Sequence, residues 1–195
     1  MRSPKQWMYA GLALAAGVGV VRLMSAPRLK RGLKVLLIGD SLAVGTAPHY
    51  TALAKEAGID FKGLGITGTR IDQWAGSQEL PKVLASFQPD LVLVSLGTND
   101  AFMQGADVVA KQRAQLDKLL LQLHGRDVVW VGPPTLPSPP NPGILSMIQD
   151  AAGKLAPRFH YFHSERLQIP RGPDALHPTV RGYAGWAGAV WHWLS

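Results

Sequence analysis

KVLLIG, Lys34–Gly39, is a continuous apolar run that stops at a glycine. Nothing polar alternates through it, so both faces of the segment are expected to be buried. That is the profile of an inner strand in a parallel sheet covered by helices on both sides. DLVLVSLG (Asp90–Gly97) and DVVWVG (Asp127–Gly132) repeat the pattern. DFKGL, beginning at Asp60, reads as a weaker strand and FHYFH (Phe159–His163) as a short one. Helical segments are expected between them, over about Pro48–Ala57 before Gly58 and over Ala106–His124 before Gly125. Thr179–Leu194 reads as an amphipathic helix with Trp186, Val190 and Trp193 on one face. Strands and helices alternate without an internal repeat, which predicts an α/β fold with a central parallel sheet. PPTLPSPPNPG (Pro133–Gly143) follows a strand's C-terminal end and reads as a stiff loop on the functional edge of that sheet.

The chain of 195 residues has room for one well-buried domain, and 47% hydrophobic with 17% charged residues suits a globular protein. It holds no cysteine, which excludes disulfides, thiolate metal sites and a thiol nucleophile. The net charge of +7 is not spread evenly. Residues 1–34 carry Arg2, Lys5, Arg22, Arg28, Lys30, Arg31 and Lys34 with no acidic residue, and the remainder balances thirteen basic against thirteen acidic residues. The excess belongs to the N-terminal segment, so no nucleic-acid partner is expected.

Residues 1–33 are read as a segment apart from a domain spanning 34–195. Within it Trp7–Val21, WMYAGLALAAGVGVV, is uncharged over fifteen residues. Extension to Met24 past a snorkelling Arg22 would bring it to spanning length. Ala26 before Pro27, with Met24 nearby, makes a poor signal-peptide cleavage site. An uncleaved membrane anchor is therefore expected over a cleaved signal, with a buried helix as the alternative. The orientation stays open: the basic cluster favours the cytoplasmic side, whereas an envelope-directed enzyme would need the outside.

Chemistry in such a sheet gathers at the C-terminal ends of the strands. GDSLAVG places Ser41 there, LGTND places Asn99 and Asp100, and PDALHPT brings Asp174 and His177 three residues apart. A serine needs a base to take its proton, and the base needs a third group to fix its tautomer. Asp-x-x-His can set the carboxylate against Nδ1 and leave Nε2 to face Ser41. The Ser41 backbone N–H and the Asn99 amide are candidate oxyanion donors, and a glycine N–H from a neighbouring loop is a third. Each residue alone also has a structural reading as a cap or turn; together, at consecutive strand ends, they point to nucleophilic catalysis. Asp40 and Asp100 are read as tying down their own loops, and Trp74 as either a pocket wall or a core residue. His49, His124, His160, His163 and His192 show no ligand spacing, so neither a metal nor a cofactor is expected.

GDSL (Gly39–Leu42), a following glycine block, GTND (Gly97–Asp100) and DALH (Asp174–His177), in that order, resemble the SGNH/GDSL hydrolases over residues 35–195. The resemblance implies a three-layer α/β/α sandwich around five parallel strands and serine-dependent ester hydrolysis. By motif it implies Ser41 as nucleophile, Asp174 and His177 as its partners, and Ser41, Gly68 and Asn99 as the oxyanion hole. Gly63 stands where an asparagine is common in that family, a departure that touches the loop's support and not the donor.

GLGITG (Gly63–Gly68) also spells a dinucleotide fingerprint. It follows the second strand rather than the first, Thr69–Ile71 is expected to continue as loop, and Asp90 begins a strand instead of ending one, so NAD binding is not expected. A carbohydrate-binding or scaffold domain is the non-enzyme alternative, and it has no need of a triad. The implied substrate is an acyl ester: an acetylated glycan, or a longer acyl chain as in a lysophospholipid or thioester.

Overall fold

Alternate residues of the central strands face opposite layers, and both layers are apolar. In β1 (Lys34–Gly39), Val35 and Leu37 pack to one side while Leu36 and Ile38 pack to the other. The same division runs through β3 (Leu91–Ser95) and β4 (Asp127–Val131), whose inward residues are essentially without exposure. β2 (Asp60–Gly65) and β5 (Phe159–Phe162) close the edges and are less buried. The five strands are parallel in the order β2-β1-β3-β4-β5. The computed structural model describes residues 27–137, 141–155 and 158–195.

Helices α1 (Ser41–Ala57) and α7 (Val180–Leu194) cover one face through Leu42, Tyr50, Trp186, Val190 and Trp191. The other face carries α2 (Ile71–Ala75), α3 (Glu79–Phe87), α5 (Val108–Gln122) and α6 (Pro142–Leu155) around Trp74, Leu80, Leu116, Trp130 and Ile148. A four-residue turn of helix, α4 (Thr98–Ala101), follows β3. The expected three-layer α/β/α sandwich is the architecture found. Its strand order reverses direction between β1 and β3, the position at which α/β sheets open a crevice.

Three local expectations are corrected. The first helix begins at Ser41, not near Pro48, because the Asp40 side chain caps it by accepting the Leu42 N–H at 2.9 Å, and Pro48 is carried inside the helix. The glycine block leads into helix α2 at Ile71 instead of continuing as loop, with Arg70 and Gln73 forming the cap. Its first residues, Gly63–Gly65, are the end of β2 itself and not a turn after β1, so the dinucleotide context remains absent. Trp193 is 39% exposed and packs edge-on against Phe162. The buried face of α7 is centred on Ala187, Val190 and Leu194, which leaves Trp193 at its rim.

The apolar run Trp7–Val21, and with it the expected membrane anchor, lies outside the described residues. Among the described residues no helix is long and apolar enough to cross a membrane.

Gly39 closes β1 against the end of β3. A Cβ at this position would collide with the Ser95 carbonyl and the Ala43 methyl, while the next N–H, of Asp40, donates to Ser95 O at 3.0 Å. Gly39→Ala forces strand and helix apart and is expected to lower stability by about 1–3 kcal/mol. The check is the shift in urea midpoint at unchanged slope, and an unchanged midpoint would mean that the contact relaxes freely.

Candidate active site

Asp40 leaves β1 with extended backbone angles, and its carboxylate caps α1. This puts Ser41 at the first helical position, where its N–H lies outside the intrahelical ladder. Ser41 Oγ is 2.9 Å from His177 Nε2, and His177 Nδ1 is 2.6 Å from Asp174 Oδ2. A serine near the start of the domain and an aspartate–histidine pair far along the chain thus form one hydrogen-bonded row, which contains the three residues singled out from the sequence. Asp174 uses Oδ1 to accept the N–H groups of Leu176 and His177, at 3.0 and 2.9 Å. The side-chain bond to His177 and these backbone donors hold its carboxyl down at about 2, so it stays ionised through the neutral and mildly acidic range. The row faces solvent.

The Asp174–His177 loop is closed on itself. Gly172 N–H donates to His177 O at 2.7 Å, Arg171 pairs with Pro178 in an antiparallel bridge, and Ala175 sits at φ +55°. The Arg171 guanidinium donates through Nη1 to the Leu176 carbonyl and through Nη2 to the Thr135 carbonyl at 2.7 Å. Thr135 in turn donates to the Glu165 carbonyl at 3.2 Å. Arg171 therefore pins the loop carrying the histidine to the proline-rich segment after β4. Its partners are backbone carbonyls, which leave no mark in a sequence, and sequence reasoning did not find it.

Asn99, in α4, lies beside the cap of the serine helix. Its Nδ2 donates to the Thr69 carbonyl at 2.9 Å and stands 3.4 Å from Asp40 Oδ2. Gly68 precedes Thr69 with φ +78°, a left-handed conformation that glycine adopts without strain. Its N–H has no protein hydrogen-bond partner among the described residues. Thr69 is the hub of this loop: its hydroxyl donates to Ile66 O at 2.7 Å and accepts from Trp74 Nε1 at 2.9 Å. Trp74 is thus a core residue and not a pocket wall.

Two buried carboxyls underlie the site. Burial pushes Asp40 up to about 7; the Leu42 N–H opposes this, Asp100 adds to it, and His177 again opposes it. Burial likewise raises Asp100 to about 6, against the pull of the Ile71 N–H. Asp40 ties down its own loop as expected. Asp100 does more than tie down its own loop: from the turn after β3 it accepts the Ile71 N–H at 3.2 Å and so anchors the glycine loop across the end of β1, which lies between β2 and β3. Among the described residues no group of acidic, histidine or cysteine side chains is placed to hold a metal ion.

A family model of GDSL-like lipases and acylhydrolases matches residues 37–184. A comparison with curated proteins finds no match. Several solved structures share the fold. A family 3 carbohydrate esterase of Clostridium thermocellum is 20% identical, with 82% of this chain and 94% of that one covered, at a TM-score of 0.64. The acetylxylan esterase Axe2 of Geobacillus stearothermophilus is 18% identical, covering 86% and 96%, at 0.64. The carbohydrate acetylesterase Est24 of Sinorhizobium meliloti is 21% identical, covering 84% and 97%, at 0.61.

The Arg171 latch has a measurable signature. Arg171→Gln removes the fork that holds Leu176 and Thr135, and it is expected to broaden or abolish the downfield proton resonance of His177 Nδ1–H. Far-UV circular dichroism and the thermal midpoint should stay near wild type. Arg171→Lys, a point charge without the planar fork, restores the signal only in part. An unchanged resonance in Arg171→Gln would show that the loop holds its shape without the latch.

Proposed function

The chain belongs to the GDSL-like lipase/acylhydrolase family, and on that premise we propose that it cleaves carboxylic esters through an acyl-enzyme on Ser41. The observation that carries the reading is the row Ser41–His177–Asp174, with contacts of 2.9 and 2.6 Å. His177 Nε2 takes the Ser41 proton as Oγ attacks the ester carbonyl, and the Asp174 carboxylate holds the imidazole and balances the charge it gains. The tetrahedral oxyanion is received by the N–H groups of Ser41 and Gly68 and by the Asn99 amide. His177 then returns the proton to the departing alcohol, and water releases the acid by the same route. The unpartnered Gly68 N–H supports its assignment; Asn99 keeps one N–H on Thr69 O and offers the other, which makes only a long 3.4 Å contact with Asp40.

The preferred substrate is a short acyl ester, an acetyl group on a carbohydrate or cell-wall glycan. Three structural neighbours act on carbohydrate or xylan esters by their names. One observation favours a longer acyl chain, as in a lysophospholipid or thioester. Val44, Ile66 and Phe102 are large apolar side chains exposed by 37–44%, and each lies within three residues of Ser41, Gly68 or Asn99.

Ser41→Ala is expected to abolish esterase activity and labelling by a fluorophosphonate probe; a folded wild-type protein that the probe leaves untouched would refute the nucleophile. Asn99→Ala is expected to reduce turnover on the order of 10²–10³-fold, as loss of an oxyanion donor does. An unreduced rate removes Asn99 from the mechanism.

Chain length is settled by p-nitrophenyl esters from acetate to palmitate. Highest kcat/KM on acetate supports deacetylation, and an optimum at long chains overturns it in favour of the lipid-directed reading.

A further inference from the structure

The pole at the N-terminal ends of the strands, opposite Ser41, carries a surface that ester hydrolysis does not use. Two cavities adjoin there and share Gly125 and Arg158. The larger, about 420 Å³, has a floor of Leu120, Leu123, Val128 and Phe159, and Leu155 at its mouth is 48% exposed. Cations ring both: Arg126 and Lys154 on the first, Arg28 and Lys30 on the second. Arg158 is committed to Asp127 at 3.1 Å, and Asp90 to the Lys34 N–H at 2.9 Å. Among the described residues, Arg28, Lys30, Arg126 and Lys154 have no carboxylate at ion-pair distance. The chain enters the described structure at Pro27, in the wall of the second cavity, and the uncharged run Trp7–Val21 lies shortly before it in sequence.

We propose that this pole docks on an anionic phospholipid surface, with the four free cations facing headgroup phosphates and the leucine-lined mouth meeting the interfacial acyl region. An apolar floor, mostly of leucine and valine, beneath unpaired cations suits a charged bilayer better than duplex nucleic acid, whose base faces are already stacked on one another. β1 runs from this pole to Gly39, roughly 17 Å at about 3.3 Å per residue. Ser41 therefore points away from the lipid, toward substrates in the aqueous space. The docking face does not depend on the reaction assigned to Ser41.

The lack of native cysteine allows a direct test on the full chain. Leu155→Cys and Phe102→Cys, each carrying an environment-sensitive fluorophore, are bound to phosphatidylcholine vesicles with or without phosphatidylglycerol and with a nitroxide on the headgroup. Quenching is expected several-fold stronger at position 155 than at 102, only when phosphatidylglycerol is present, and reduced by high salt. Arg126→Gln and Lys154→Gln should each weaken the phosphatidylglycerol-dependent part about fivefold. Equal quenching at the two positions, stronger quenching at 102, no dependence on phosphatidylglycerol, or no vesicle binding would each overturn the proposal. Loss of hydrolysis in Ser41→Ala leaves these readouts unchanged, so the two proposals fail separately.

Discussion

The close approach of β1 and β3 at Gly39 and Ser95 is the constraint from which the site follows. With no side chain between the strand ends, Asp40 can bond to Ser95 O, turn, and cap α1 within a single residue. Ser41 is then fixed at a helix N-terminus, on the crevice where the strand order reverses. Its own N–H is free there, and the helix dipole favours negative charge beside it. The same turn brings Asp40 to 3.4 Å from the Asn99 amide, so the carboxyl that caps the serine's helix also faces the helical turn after β3. A second packing choice seats the helix one turn further on: Gly45 leaves room for the Tyr183 ring of α7.

Asp40 and Asp100 show what this arrangement costs. Each is almost fully buried with no cation against it, and each answers with a raised pKa. A carboxyl whose folded value lies above its unfolded value is most favourable when protonated. These two groups therefore subtract from stability progressively as pH rises from about 4 through 6 to 7. They remain because each does what an apolar residue cannot. Asp40 accepts the Leu42 N–H, and Asp100 accepts the Ile71 N–H from a different loop. Both bonds hold backbone beside the serine, and the fold exchanges some stability for order at that edge.

The sandwich was legible because KVLLIG, LVLVS and DVVWV are apolar without alternation, and only a doubly covered parallel sheet buries both faces of a strand. The groups of the candidate site were legible because Ser41, Asn99, Asp174 and His177 are side chains with distinctive chemistry at strand ends. What escaped was carried by backbone. The start of α1 depends on one Asp40–Leu42 bond, α2 on a cap by Arg70 and Gln73, and the Arg171 latch on two carbonyl oxygens. Every residue has a carbonyl and nearly every one an N–H, so no spacing of residue types announces which of them will be used.

The row from Ser41 to His177 joins residues 136 positions apart, and the histidine's loop is bonded to Pro170 and capped by α7. On the proposed mechanism, a nascent chain exposes the serine long before the histidine that serves as its base is made. Between those moments the hydroxyl is an ordinary, unactivated alcohol. The helix that follows the histidine's loop, α7, packs directly on the serine's helix α1 through Tyr50 and Trp191. On that mechanism, hydrolysis requires a chain made and folded at least through α7. On the proposed mechanism, a chain halted during translation, or clipped ahead of residue 171, carries Ser41 without the base that would activate it.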